Sequence, residues 1–145
     1  GALCFFSSIL IILGKGLVVG VDKNDYALNI KMLSDLPATL IHADALCSET
    51  VYEARIISPN YDLIVIDLGP PHINYEALTL WAPLLAPQGV LVIEDTWGTT
   101  DESLHLRAID SFLLKNPHFA FYELARRHPF LKGIALIKLE ENLDG

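Results

Sequence analysis

GALCFFSSILIILGKGLVVGVD (residues 1–22) carries one charge, Lys15, before Asp22. Three readings compete for it: a secretory signal, a membrane span, or the edge of a soluble core. A secretory signal places basic residues ahead of its apolar stretch and small residues at a cleavage site after it. No Lys or Arg precedes the apolar run here. A membrane helix needs about 20 apolar residues in unbroken succession. Gly14-Lys15-Gly16 interrupts this run after about a dozen, and glycine beside lysine is a helix-stop signal. LVVGVD beyond it is short, rich in β-branched residues and closed by an acid, which predicts a buried strand. Helix, glycine stop and strand make half of an α/β unit.

The remainder repeats that alternation. Residues 25–36 predict a helix, ATLIHAD (38–44) a strand, and CSETVYEARIIS (47–58) a helix with Ser48 as N-cap. In that helix Val51, Ala54 and Ile57 share a face. YDLIVID (61–67) predicts an apolar strand, followed by the turn LGPPH and the helix NYEALTLWAPLL, with Trp81 on its apolar face. Pro87-Gln88-Gly89 predicts a turn before the strand GVLVIED (89–95). Thr99 to Glu102 offers a capping box for a helix that stops at Asn116-Pro117. FAFYELARRHPF and GIALIKLE predict an antiparallel strand pair at a sheet edge. Strands alternating with helices specify a doubly wound, Rossmann-like α/β sheet, mostly parallel, with helices on both faces. The expectation is a single domain over residues 1–145.

Composition agrees. The chain of 145 residues is 52% hydrophobic and 19% charged, as expected when strands are covered on both faces. Its net charge of −8 opposes a nucleic-acid surface, which needs clustered Lys and Arg. Cys4 and Cys47 have no metal-ligand spacing, so buried free thiols and a reducing cytoplasm are expected.

Ligands of open α/β sheets bind beyond the carboxyl ends of the strands. The central strands of this sequence end in Asp22, Asp44, Asp67 and Glu94-Asp95. Carboxylates gathered on one rim repel one another unless a cation or hydrogen-bond donors join them. The bland alternative, separate helix caps and solvated turns, stays open. An acid closing VVGVD can accept two bonds from a ribose diol, and Asp44 with the small Ala45 would border a flat base. Asp67, Glu94 and Asp95 together offer hard oxygen ligands to Mg²⁺ or a similar ion. His72, five residues after Asp67, is a candidate general base. His42, His105, His118 and His128 lack ligand spacing and read as structural or surface residues. Trp97, just past the acid pair, is a candidate pocket wall.

In this order the motifs resemble class I S-adenosylmethionine-dependent methyltransferases, and among them the cephalosporin hydroxylase family with its sugar O-methyltransferase relatives. The resemblance is carried by GALCFFSSIL, VVGVD, HADAL, YDLIVID with His72, WAPLLAPQGVLVIEDTW and the closing strand pair. It implies an S-adenosylmethionine site built from Gly1, Asp22, Lys23, Asp44, Ala45 and Asp67. It also implies a divalent metal on Asp67, Glu94 and Asp95, with Asp67 and His72 catalytic. The family's first strand and glycine-rich loop would precede Gly1, so an N-terminal truncation is expected. LGPPH departs from the family's more polar loop. The implied reaction is methyl transfer to a hydroxyl of a small molecule or sugar, without nucleic acid or membrane, and with homo-oligomers common among members. Two other classes fit part of the pattern: a nicotinamide-dependent oxidoreductase, which shares the acid at Asp22, and an inactive interaction module.

Overall fold

The computed structural model describes residues 2–24, 37–68, 73–94, 102–123 and 134–139. Two compact units divide the chain, Gly1–Ile57 and Ser58–Gly145.

The first unit opens with helix α1 (Ala2–Leu13) and strand β1 (Val18–Asp22), followed by β2 (Ala38–His42) and helix α2 (Ser48–Ile57). The expected glycine stop is present. Gly14 takes φ 70° and its N–H donates to the Ile11 carbonyl at 3.1 Å, so the chain leaves α1 through the left-handed region that glycine enters cheaply. Gly16 follows at φ 111°, and a Cβ there would lie 2.8 Å from a Leu10 methyl. No helix among the described residues is long and apolar enough to cross a membrane. β1 and β2 pair in parallel, from Val18 opposite Ala38 to Asp22 opposite His42.

Helix α2 begins at Ser48 itself, so the cap belongs one residue earlier than the sequence suggests. The Cys47 carbonyl accepts the Val51 N–H at 3.3 Å, while the Ser48 hydroxyl turns to the Glu49 carboxylate at 3.1 Å. Thr50 and Ala54 form the buried side of α2. The predicted helix over 25–36 lies outside the described residues.

The second unit holds β3 (Tyr61–Ile66), α3 (Asn74–Trp81) with a 3₁₀ turn Ala82–Leu84, β4 (Leu85–Glu94), α4 (Glu102–Lys115), β5 (Phe119–Glu123) and β6 (Ile134–Leu139). Its sheet runs β3-β4-β6-β5, with β3 and β4 parallel and β6 antiparallel to both neighbours. The expected closing strand pair is thus formed at the sheet edge. Burial alternates along β3 and β4: Ile64, Ile66, Leu91 and Ile93 are buried while Leu63 is exposed. These strands therefore bury one face more deeply than the other. Ala77, Leu78 and Trp81 of α3 and Ile109 and Phe112 of α4 complete the core. Lys115 Nζ donates to the Tyr75 hydroxyl at 2.9 Å and ties α4 to α3; this bond holds the Tyr75 phenol below its ordinary pKa. Asn116 ends α4 as expected, its Nδ2 donating to the Phe112 carbonyl at 2.9 Å.

The Pro87-Gln88-Gly89 turn is embedded in β4 rather than preceding it. Tyr61 faces Leu85 and Leu63 faces Val90, so the intervening residues of β4 bulge out of the ladder before pairing resumes. Gly89 closes this bulge without room for a side chain. A Cβ there would meet Leu85 Cδ1 at 2.8 Å, the Tyr61 carbonyl at 2.9 Å and the Ala86 carbonyl at 3.0 Å. Two of those atoms are backbone and cannot move aside. Gly89→Ala is expected to destabilise the fold by about 1–3 kcal/mol, read from urea unfolding midpoints. An unchanged midpoint would show that the bulge relaxes freely.

Candidate functional site

The rim of the first unit is built where β1 and β2 end. The Ala43 N–H donates to the Asp22 carbonyl at 3.2 Å, carrying the parallel ladder one step past its last paired residues. Asp22 then turns the chain. Its Oδ1 accepts the Asn24 N–H at 2.8 Å and the Asn24 amide group at 3.1 Å. Such an Asx turn gives the backbone a local partner where the strand ends. The same carboxylate is the one expected to receive a ribose.

Lys23 and Asp44, both assigned to cofactor binding by the family resemblance, come together. Lys23 Nζ lies 3.7 Å from Asp44 Oδ2, with the side chains 68% and 50% exposed. An ion pair this wet contributes at most about 1 kcal/mol, so it orients the two groups more than it holds the fold. Asp44 Oδ1 accepts the Leu46 N–H at 3.0 Å, and the Asp44 carbonyl accepts the Cys47 N–H at 3.1 Å. Asp44 thus has a local turn-forming role at the position where the family resemblance expects a cofactor contact. Ala45 is half-buried in that turn.

His42 belongs to this group, although its spacing marked it only as structural or surface. Its Nε2 sits 3.1 Å from the Lys23 carbonyl, and because a carbonyl only accepts, the imidazole must donate. A partner 19 residues away in sequence leaves no local signal. The register that sets Asp22 opposite His42 creates the contact.

Cys47 corrects the expectation of buried thiols: it is a free cysteine, exposed in the turn ahead of α2. A hydrogen bond to Glu49, with that carboxylate's charge, pushes the thiol pKa up. The Glu49 carboxyl is held down by its own backbone N–H and by the Ser48 hydroxyl. Cys47 is therefore protonated near neutral pH and poorly suited as a nucleophile.

The rim of the second unit carries the other carboxylates. β3 and β4 are parallel, and Ile66 faces Ile93 across the ladder. Asp67 and Glu94 are the next residue on each strand, so two exposed acids stand at neighbouring strand ends. The buried Ile66 and Ile93, 4% and 0% exposed, anchor them from below. Among the described residues no cluster of three or more His, Cys, Asp or Glu side chains is positioned to hold a metal. Asp95, His72 and Gly1, the remaining expected site residues, lie outside the described residues, as does Trp97.

No family model matches the sequence, and no curated protein is significantly similar to it. Solved structures do share its fold. Cofactor-bound Rv0187 from MTB aligns over 98% of this chain and 71% of its own at 19% identity, with a TM-score of 0.70. A candidate rRNA methylase from Clostridium thermocellum aligns over 87% of this chain and 74% of its own at 20% identity, with a TM-score of 0.63. MycE methyltransferase of mycinamycin biosynthesis, solved with Mg, S-adenosylhomocysteine and mycinamycin VI, is 18% identical with a TM-score of 0.59. Its match spans 90% of this chain but only 38% of that one. The chain accordingly has an α/β fold of the Rossmann-like methyltransferase type.

Proposed function

We propose that the protein is an S-adenosylmethionine-dependent O-methyltransferase acting on a hydroxyl of a small molecule or sugar. The carrying observation is that acids stand at or within two residues of the ends of β1, β2, β3 and β4, in a fold shared with methyltransferases. In the first unit Asp22 would accept the ribose hydroxyls, with Lys23, Asp44 and Ala45 bordering the adenine. In the second, Asp67 and Glu94 would serve the reacting hydroxyl, with Asp95 and His72 as expected companions; Gly1, in the first unit's sequence, would serve the methionine end.

The described donors at the second rim fit a divalent cation of the Mg²⁺ kind, because they are carboxylate oxygens on adjacent strand ends. Such an ion, when bound, supplies a Lewis acid that lowers the pKa of a coordinated hydroxyl. Asp67 and Glu94 would hold it, and the strand ends would fix the direction from which the hydroxyl approaches. His72 or a rim carboxylate would take the proton. Alignment of oxygen with the methyl carbon matters most, since in-line displacement tolerates little misplacement.

The net charge of −8 weighs against an RNA substrate and favours a small one. The exposed free thiol of Cys47 suits a reducing cytoplasm. A panel of sugar and macrolide hydroxyl acceptors, assayed with methyl-labelled S-adenosylmethionine, tests the reaction. Label should transfer to a hydroxyl and fall to background in EDTA. Full turnover in EDTA would remove the metal from the mechanism.

A further inference from the structure

We propose that His42 is a positioning residue for nucleoside binding, acting through the backbone turn that follows Asp22. The inference rests on the assignment of Asp22 to the ribose. The turn has two anchors of different kinds. One is local: Asp22 Oδ1 holds the Asn24 N–H and side-chain amide at 2.8 and 3.1 Å. An Asx turn of this type draws on the very carboxylate that a ribose would use, so it cannot by itself fix that carboxylate's direction once a ligand competes for it. The other anchor comes from the neighbouring strand: His42 Nε2 donates to the Lys23 carbonyl at 3.1 Å.

This second bond leaves the Asp22 carboxylate out of the transaction. The Ala43 N–H already holds the Asp22 carbonyl at 3.2 Å, so His42 extends the cross-strand tie by one further peptide. Together the two bonds pin the peptides on either side of Lys23 to β2. The Asp22 side chain and the Lys23 ammonium, which reaches Asp44 at 3.7 Å, then project from a backbone that does not move when a diol replaces the Asn24 bonds. His42 thereby pre-organises the nucleoside end of the site without touching the nucleoside, and pre-organisation lowers the ordering cost of binding.

The test compares His42→Leu, which has no donor, with His42→Gln, whose amide nitrogen can reach the same carbonyl. S-adenosylhomocysteine and adenosine are titrated calorimetrically into each protein. Amide hydrogen exchange at Asn24 and Ala43 is measured without ligand. His42→Leu is expected to weaken both ligands by the same factor, about three- to ten-fold, as the loss of one intramolecular hydrogen bond implies. Its Asn24 and Ala43 amides should exchange faster by a comparable factor, and His42→Gln should restore both readings to within about two-fold. Wild-type exchange and affinity in His42→Leu, or a His42→Gln as impaired as His42→Leu, would overturn the role. If the wild-type protein ignores S-adenosylhomocysteine while the exchange pattern follows the donor, the ligand assignment falls and the tie stands. If the exchange does not follow the donor, the tie itself is refuted whatever the ligand result.

Discussion

Asp22→Ala is expected to weaken S-adenosylhomocysteine binding about 100-fold, the largest loss of any single change in the first unit. A carboxylate accepting two ribose hydroxyls makes two charge-assisted bonds, each worth about 1.5–3 kcal/mol when both partners leave water. Water and Asn24 compete for the same oxygens, so a net loss near the lower end of the sum, about 3 kcal/mol, is the reasonable figure. The fold should hardly notice. Asp22 contributes an Asx turn at the end of β1, and its carbonyl, which holds Ala43, survives the substitution. A fall in stability below about 1 kcal/mol accompanies a lost exposed bond of this kind. Calorimetric titration read beside a urea unfolding curve separates the two effects. Unchanged affinity would remove Asp22 from the ligand site and leave it a turn-former.

The second large effect belongs to Asp67 and Glu94. Asp67→Asn with Glu94→Gln should abolish binding of Mn²⁺, followed as loss of the free-ion signal by electron paramagnetic resonance. Neutral amides keep the shape of both side chains and remove the two negative charges that a hard cation requires. Each single substitution should weaken Mn²⁺ by about ten-fold or more, since two of the ligand charges stand on adjacent strand ends. Wild-type Mn²⁺ affinity in the double variant would place any metal elsewhere.

What could be read in advance follows the range of the interactions. The glycine stop after α1 was legible because Gly14 alone supplies the positive φ that ends the helix. The parallel pairing of β3 with β4 was legible too, because apolar strands joined by a helix form parallel neighbours. The exposure of Cys47 is not legible in the sequence, because residue type says nothing about a seat in the exposed turn that the Asp44 bonds create. The Pro-Gln-Gly segment carried its turn signal correctly, but only the register against Tyr61 and Leu63 shows that β4 begins before it. His42 was passed over since its partner is the Lys23 backbone on another strand, and no residue type announces a bond to a carbonyl.

The most direct measurement is a calorimetric titration of the protein with S-adenosylhomocysteine and with NAD. Saturable binding of S-adenosylhomocysteine with no heat from NAD is the expected result. Saturable binding of NAD with none of S-adenosylhomocysteine would contradict the methyltransferase assignment and favour an oxidoreductase on the same fold.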